Sequence, residues 1–591
     1  MLLNTSYPKQ ILNYFQSSTR SVFYYFKRVL CLSKNEVPGY PETRGPGGIR
    51  THDPQIRNLL LYPTELRNHF SHSVGVGRFE LPTSTSRTWR ANRTTLHPVC
   101  VKMAPKILNL PHLKTKTLKT KTIFLPAVLL FTSVFTAYSN PTVKHKFTFN
   151  IKGAHDTRAY LGFYYGDKTY VLDSANIDNK GNFQFEGDTA MTGGVYFILL
   201  KDKKYFEFIV DKDQHFAMHT DTADFIKNMK VDGSPENEDF YTYLNFAASK
   251  YGKVSKMQDS AKTPEQKTAV KAKFDSLNMV MRKYKQDFIA KHPDMFMAEL
   301  FKAAEYPDVP DAPTLANGRK DSTFAFRYYK AHYFDNVNFS DDKMVHTPPE
   351  VFFNRIKEYL SRLTFPIPDS INAAADYLLA KAHKSPDMFK FLANYITYTY
   401  ANSDIMGMDG VYVHMVKTYY TPQTATWVTA SQLEKMRENA EQIEPTLIGK
   451  KAPALVLSDT LNVMTALDSV KARYTILCFW DYDCGLCQQE IPKLVKWYDS
   501  VKTRGSGIEV YSVQINEDMA KWKEYIRKHK LDWMNVADVF HTSNYHHDYD
   551  IISTPMIFVL DENKRIIAKK IDVKDLNGIL KHDMQTNSQK N

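Results

Sequence analysis

Two cysteines three residues apart stand in the segment Trp480-Asp-Tyr-Asp-Cys484-Gly-Leu-Cys487-Gln-Gln-Glu490-Ile-Pro492. Such a pair can close a disulfide or present two thiols, and the reactive species is the thiolate. The apolar run Tyr474-Thr-Ile-Leu-Cys-Phe-Trp480 just before it predicts a strand covered on both faces, and a helix is expected from the dithiol to about Thr503. A thiol at such a junction meets free backbone N–H groups and the positive end of the helix dipole, which favour the anion. Cys484 lies on the open side of the turn and Cys487 one turn in. Cys484 is therefore expected to attack a substrate disulfide and Cys487 to resolve the mixed disulfide. Two other readings stay open. A structural zinc site needs four ligands, and no second C-x-x-C or H-x-H pair lies nearby. An inert disulfide across so short a loop stabilises little. Cys478, mid-strand and apolar, reads as a small buried hydrophobe.

The elements that must position this dithiol alternate β and α from about Ile448. After the first strand and helix come the strand Ile508–Ile515, a helix from Asp518 to His529, and the strand Met556–Leu560. A turn at Asp561-Glu562-Asn563-Lys564, the strand Arg565–Ile571 and a closing helix near Val573 complete a βαβ unit followed by a hairpin.

Ahead of it, residues 143 to 232 alternate as β-strands do: Phe147, Phe149 and Ile151, then Phe183 and Phe185, then Tyr196, Ile198 and Leu200, then Phe206, Phe208 and Val210. Short strands at this spacing predict a small antiparallel sandwich with the aromatics as core. From Ser234 to about Ile443 the pattern is helical. Ser234-Pro235 and Thr263-Pro264-Glu265-Gln266 are helix starts, the second a capping box. Behind the latter, Val270, Phe274, Leu277, Met281, Tyr284 and Phe288 form an apolar seam for packing on other helices. This region has no cysteine, its histidines lack ligand spacing, and no metal site or other chemistry is expected there.

The third region resembles the TlpA/ResA-like branch of the thioredoxin-fold thiol–disulfide oxidoreductases. Phe479-Trp480, Cys484–Cys487 and Glu490-Ile491-Pro492 match its F-W, C-x-x-C and E-x-P pattern. Thr554-Pro555 matches its Thr–cis-Pro pair, Gly449-Lys-Lys-Ala-Pro453 its entry strand, and Tyr549, Asp561 and Lys564 its preceding tyrosine and hairpin turn. The resemblance implies catalysis by Cys484 and Cys487, cycling between dithiol and disulfide, with Glu490 in proton transfer and substrate contacts at Trp480, Thr554 and Pro555. It implies protein disulfide substrates, an upstream membrane electron donor and no cofactor. Asp483 stands where the family commonly has Trp, and Gly485-Leu486 lacks the His of strongly oxidising members. An acid beside Cys484 disfavours its thiolate, so a reductase is expected rather than an oxidase. The rival is a binding or scaffold protein whose thioredoxin-like domain has lost turnover. A peroxidase is a weaker reading, since C-x-x-C suits dithiol exchange better than a single activated cysteine.

The whole is expected to be multidomain: an N-terminal antiparallel β-sandwich (140–233), a central all-α region (234–445) and a C-terminal α/β thioredoxin fold (446–591). Of its composition, 43% hydrophobic and 24% charged residues fit a globular chain, and five cysteines in 591 residues exclude a disulfide-stapled scaffold. The formal charge of +13 invites a nucleic-acid partner, but residues 140–591 hold 58 bases and 59 acids. No nucleic acid is expected, and the excess sits at the front.

There, Gly47-Gly-Ile-Arg-Thr-His-Asp-Pro54 and Val76-Gly-Arg-Phe-Glu-Leu-Pro-Thr83 resemble conceptual translations of transfer-RNA genes. Codons for Ile-Arg and for Phe-Glu can both spell the TTCGAA core of the T-loop. Residues 1–102 are thus expected to be a spurious leader, the alternative being a disordered basic arm. From Met103 a lysine-bearing stretch, the apolar run Ile123–Ala137 and Ala137-Tyr-Ser139 have the order of a secretory signal peptide, assigned to 103–139. This places the body in the periplasm or cell envelope, with an uncleaved anchor and transient membrane association as the alternative. Native protein from the envelope fraction should then begin near Asn140 by intact mass. Recovering peptides from residues 40–100 would refute this.

Overall fold

The computed structural model describes residues 143–588, apart from 202, 504 and 506. The leader and signal assigned to 1–139, and the proposed cleavage after Ser139, lie outside the described residues. No helix among the described residues is long and apolar enough to cross a membrane.

Eight strands come first: β1 (His145–Lys152), β2 (Thr157–Tyr165), β3 (Lys168–Ile177), β4 (Asn182–Gly187), β5 (Gly194–Leu200), β6 (Tyr205–Val210), β7 (His215–Asp221) and β8 (Lys230–Asp232). They form two four-stranded sheets, ordered β4-β1-β7-β8 and β3-β2-β5-β6. The pairing is antiparallel except for β1 with β7, which run parallel. Alternation along β1 buries Phe147 and Phe149, which stack on Phe216 and Phe183 between the sheets. The aromatics are core. β5 and β6 are buried almost continuously instead, because their outer face is covered as well. Part of that cover is the 3₁₀ turn Asp342–His346, where Val345 O accepts from Gly166 N and His346 Nδ1 lies 3.1 Å from Tyr164 O.

Helices follow: α1 (Pro235–Ser260), α2 (Pro264–Lys291), α3 (Phe296–Ala303), α4 (Phe324–His332), α5 (Phe353–Ser361), α6 (Pro368–Lys381), α7 (Pro386–Ala401), α8 (Asp409–Tyr419) and α9 (Ala430–Ile443). Ser234 caps α1, and the Thr263–Gln266 box caps α2, as their spacing predicts. Along the seam Val270, Leu277, Met281 and Phe288 are buried, while Phe274 and Tyr284 are half-buried.

The last region holds β9 (Val456–Asp459), β10 (Met464–Ala466), β11 (Tyr474–Trp480), α10 (Gly485–Lys502), β12 (Ile508–Gln514), α11 (Met519–His529), β13 (Met534–Ala537), α12 (Tyr545–Asp548), β14 (Met556–Leu560), β15 (Ile566–Lys569) and α13 (Leu576–Ser588). They build a seven-stranded sheet, β10-β9-β13-β12-β11-β14-β15, in which β11, β12 and β13 are parallel. This is the expected mixed α/β sheet of a thioredoxin fold. The entry strand starts later than Gly449–Pro453. That segment instead runs along β15, with Gly449 N donating to Ile566 O and Ala452 N to Lys564 O, and pairing with β13 begins only in β9. Tyr549, wholly buried, donates from its hydroxyl to Pro453 O at 2.6 Å. Lys564 tucks inside the turn, donating to Val470 O and Thr475 Oγ1.

Helical region and sheet are clamped by an ion pair between Lys569 on β15, 2% exposed, and Asp409 at the start of α8, with Thr446 Oγ1 also on the ammonium. Burial pushes the lysine below its ordinary value against the pull of Asp409. Removing one partner of a buried pair strands the other charge. Asp409→Ala should therefore lower the urea midpoint, at a cost of about 3 kcal/mol. Asp409→Leu with Lys569→Met should recover most of it. An unchanged midpoint in Asp409→Ala would show that the pair carries no stability.

Candidate active site

Parallel β11, β12 and β13 end on one side of the sheet, and β14 begins there. Open α/β sheets place their sites at such carboxyl ends. β11 is buried at all seven positions, so its end is rigid, and the chain then turns into α10.

Cys484 is the N-cap of α10. Its sulfur accepts from Cys487 N at 3.4 Å and lies 3.4 Å from Thr554 O, to which the thiol hydrogen points. It is half-buried, whereas Cys487 is fully buried; both stand as free thiols. Burial pushes the Cys484 thiol up, but hydrogen bonds from the Thr554 side chain and from the backbone and side chain of Cys487 outweigh it, and the balance falls below the ordinary value. At Cys487 burial wins. That thiol is pushed up to about 12, although Asp481 N donates to it at 3.5 Å. The arrangement can therefore hold one sulfur as a ready nucleophile and keep the second in reserve. Cys478 is buried and pushed well up by desolvation, in keeping with a structural role.

The residues singled out in sequence divide into three groups. Thr554 and Pro555, joined by a cis peptide bond, are half-buried at the dithiol, with Thr554 in contact with Cys484. Glu490 lies one helical turn beyond Cys487, and its carboxylate bonds Lys493 at 2.6 Å rather than either sulfur. Trp480 is corrected: at 0% exposure it cannot touch a substrate. As the last residue of a strand covered on both faces, it packs its ring 5.0 Å from that of Tyr525 in the core under the dithiol. Asp483 is exposed and its N–H donates to Asp481 Oδ1, so the acid expected to oppose the Cys484 thiolate faces solvent. The net shift at Cys484 is downward, against that expectation.

A bracket around the dithiol went unforeseen. Asn516, just past β12, accepts from the Tyr482 hydroxyl at 2.8 Å and donates to Asp481 Oδ1 at 3.1 Å, fixing the loop that leads to Cys484. Its one sequence signal was a polar residue immediately after a predicted strand. From the helical region, Met406 packs against the same cluster that holds Cys484 and Cys487.

Three family models match successive parts of the described residues. The AhpC/TSA family matches residues 448–569. Two domains of unknown function, DUF4369 and DUF5106, match 145–240 and 259–445. The thiol–disulfide oxidoreductase ResA of Bacillus cereus is 24% identical over 128 residues, 22% of this chain and 72% of that protein. Among solved structures, a domain of a possible thiol-disulfide isomerase from Cytophaga hutchinsonii is 42% identical, covering 24% of this chain and 98% of that one at a TM-score of 0.23. A thioredoxin-like protein from Bacteroides caccae is 16% identical, covering 47% and 99% at a TM-score of 0.35.

Because the Thr554 side chain holds the Cys484 thiol down, Thr554→Val should raise its pKa, read as a shift of the ultraviolet thiolate absorbance to higher pH. An unshifted titration would show that the Cys487 N–H alone suffices.

Proposed function

Since residues 448–569 form a ResA-like, thioredoxin-fold thiol–disulfide oxidoreductase domain, we propose that the chain is an exported reductase of protein disulfides working through Cys484 and Cys487. The asymmetry of the two sulfurs carries this reading: one is half-exposed and held down, the other buried and pushed up to about 12. In the proposed cycle the Cys484 thiolate attacks a substrate disulfide, and one substrate sulfur leaves as a thiol. Cys487 then loses its proton and attacks Cys484, which releases the second substrate sulfur and leaves a Cys484–Cys487 disulfide. Two electrons have passed to the substrate. An upstream membrane dithiol donor returns them.

Thr554 serves both partners of the first step. Its carbonyl receives the thiol hydrogen of Cys484 in the resting state. Once that sulfur is a thiolate the carbonyl is free for an N–H of an extended substrate backbone. Glu490, on the turn after Cys487, is the proposed proton acceptor for the second step when Lys493 releases it. The reducing direction is supported by a Gly485-Leu486 dipeptide without His, which points to a couple nearer roughly −270 than −120 mV. Export to the periplasm or cell envelope is supported by the order of residues in 103–139, with membrane association only through an uncleaved anchor.

Cys487→Ser should stall the protein as mixed disulfides with its natural substrates, seen as bands that collapse with reductant and identified by mass spectrometry. Cys484→Ser should abolish them. If neither variant traps a partner and the native protein reduces no insulin, the chain is a scaffold with a silent thioredoxin domain.

A further inference from the structure

Four buried hydrogen-bond donors lie on the face of the sheet beneath the dithiol, and none has a partner within the protein: Trp480 Nε1, Gln514 Nε2, Trp522 Nε1 and the Tyr525 hydroxyl. Trp480 and Gln514 are register neighbours on β11 and β12, so their side chains share a face. Trp522 and Tyr525 stand three apart on α11 and also share a face. Trp480 and Trp522 are wholly buried and Gln514 is 1% exposed. Gln514 already uses its oxygen to accept from Asn516 N. An orphaned buried donor destabilises the fold, and native proteins keep few of them. Four in one neighbourhood call for a physical reason.

Cys487 supplies one. It lies in the same packed cluster as Trp480, Trp522 and Tyr525. Among those residues it is the group that must pass through a negative charge, because a thiol cannot attack a disulfide until it is a thiolate. A buried anion is costly unless several donors reach it, and in the resting state Cys487 receives only the Asp481 N–H and what Thr554 lends it. The proximity is also felt at Tyr525, whose ionisation is raised by burial first and by the Cys487 charge second.

We propose that Tyr525 is a positioning residue for resolution: its hydroxyl, together with the orphan N–H groups around it, stabilises the Cys487 thiolate in the interval before it attacks Cys484. In that step the Cys487 proton goes to the Glu490 carboxylate, the acceptor proposed above, and the sulfur's electron pair forms the bond to Cys484. The bond from Cys484 to the substrate sulfur breaks, and that sulfur leaves as a thiolate and takes a proton from water. The charge sits on Cys487 only between proton loss and bond formation. The donors are therefore idle on the resting thiol and are used only on the way to the transition state, which is where binding accelerates a step. A hydroxyl suits the task because it turns about its C–O bond, whereas an indole N–H is fixed with its ring.

This inference rests on Cys484 attacking and Cys487 resolving, and one experiment separates the two claims. The native chain is mixed with 5,5′-dithiobis(2-nitrobenzoate), with Cys31→Ser and Cys100→Ser introduced wherever those residues are retained. Attack by Cys484 releases one thionitrobenzoate, and resolution by Cys487 releases a second. A single release would remove the dithiol reading itself. With two releases, Tyr525→Phe should leave the first at its rate and slow the second about tenfold, with its pH midpoint moved up by about one unit. The thermal midpoint should hold or rise, since an orphaned hydroxyl is gone. Gln514→Leu, which removes a neighbouring orphan N–H but also the oxygen that Asn516 N donates to, should slow the second release more than the first. A second release with the native rate and pH midpoint in both variants would overturn the proposal. So would equal slowing of both releases with a fall in thermal midpoint, which marks a structural role.

Discussion

The backbone N–H of Cys487 points at the sulfur of Cys484 from 3.4 Å, and the domain depends on that contact twice over. A helix start needs an acceptor for its free N–H groups, and oxygen side chains usually provide it. A thiol is a poor acceptor and a thiolate a good one. By putting cysteine at the N-cap, the chain makes the helix's own requirement favour the thiolate form of Cys484. The contact exists only because β11 is buried on both faces and ends where α10 must begin. A slip of one residue would turn Cys478 and Trp480 to the opposite face and carry the cap out of place.

The front regions connect to this site through a series of contacts. Tyr165 on β2 donates to Asp387 of α7, which also holds His346, so the sandwich is tied to the helices by half-buried polar contacts. At the far side of the helical region Asp409 holds Lys569 on β15, and Met406 reaches the cluster beneath the dithiol. β15 pairs with β14, and β14 starts directly after Thr554-Pro555. A series of contacts therefore runs from a sandwich without evident chemistry to the segment that touches Cys484. Such a frame can present the site at a set orientation to a large partner.

Much of this was legible in the residues, for reasons that differ by element. β11 and β14 were read to the residue because continuous apolar runs bounded by turn signals leave little freedom. Cys484 and Cys487 were legible because chemistry, spacing and the strand–helix junction coincide. β13 was missed: Met534–Ala537 is four residues long and carries Asn535, whose side chain is satisfied by Ser512, Leu531 and Trp533, so no period of two could show. Trp480 was misassigned because a motif marks a residue as needed without saying which way it faces; burial alone decides that. Asp483 misled for a related reason. Adjacency in sequence suggested repulsion, but its side chain turns to solvent, and the hydrogen bonds that hold the Cys484 thiol down come from Cys487 and from the side chain of Thr554, seventy residues away in the chain. Tertiary contacts of that kind leave no local signature.

The C-terminal sheet also separates two ways of burying polar groups. Lys564 and Lys569 are cationic, and each is met by oxygen acceptors within the fold, as a permanent charge must be. The donors around Tyr525 are neutral and lack acceptors, which a fold can tolerate because an unmet neutral donor costs far less than an unmet charge. The first arrangement fixes the frame. The second leaves polarity in reserve beside a sulfur that is neutral at rest and charged in passing. Filling those donors permanently with protein acceptors would stabilise the resting fold, and it would occupy the groups that the thiolate needs. A stable core and a competent resolving thiol thus make opposite demands on the same few atoms, and the chain has met them at the end of a strand buried along its whole length.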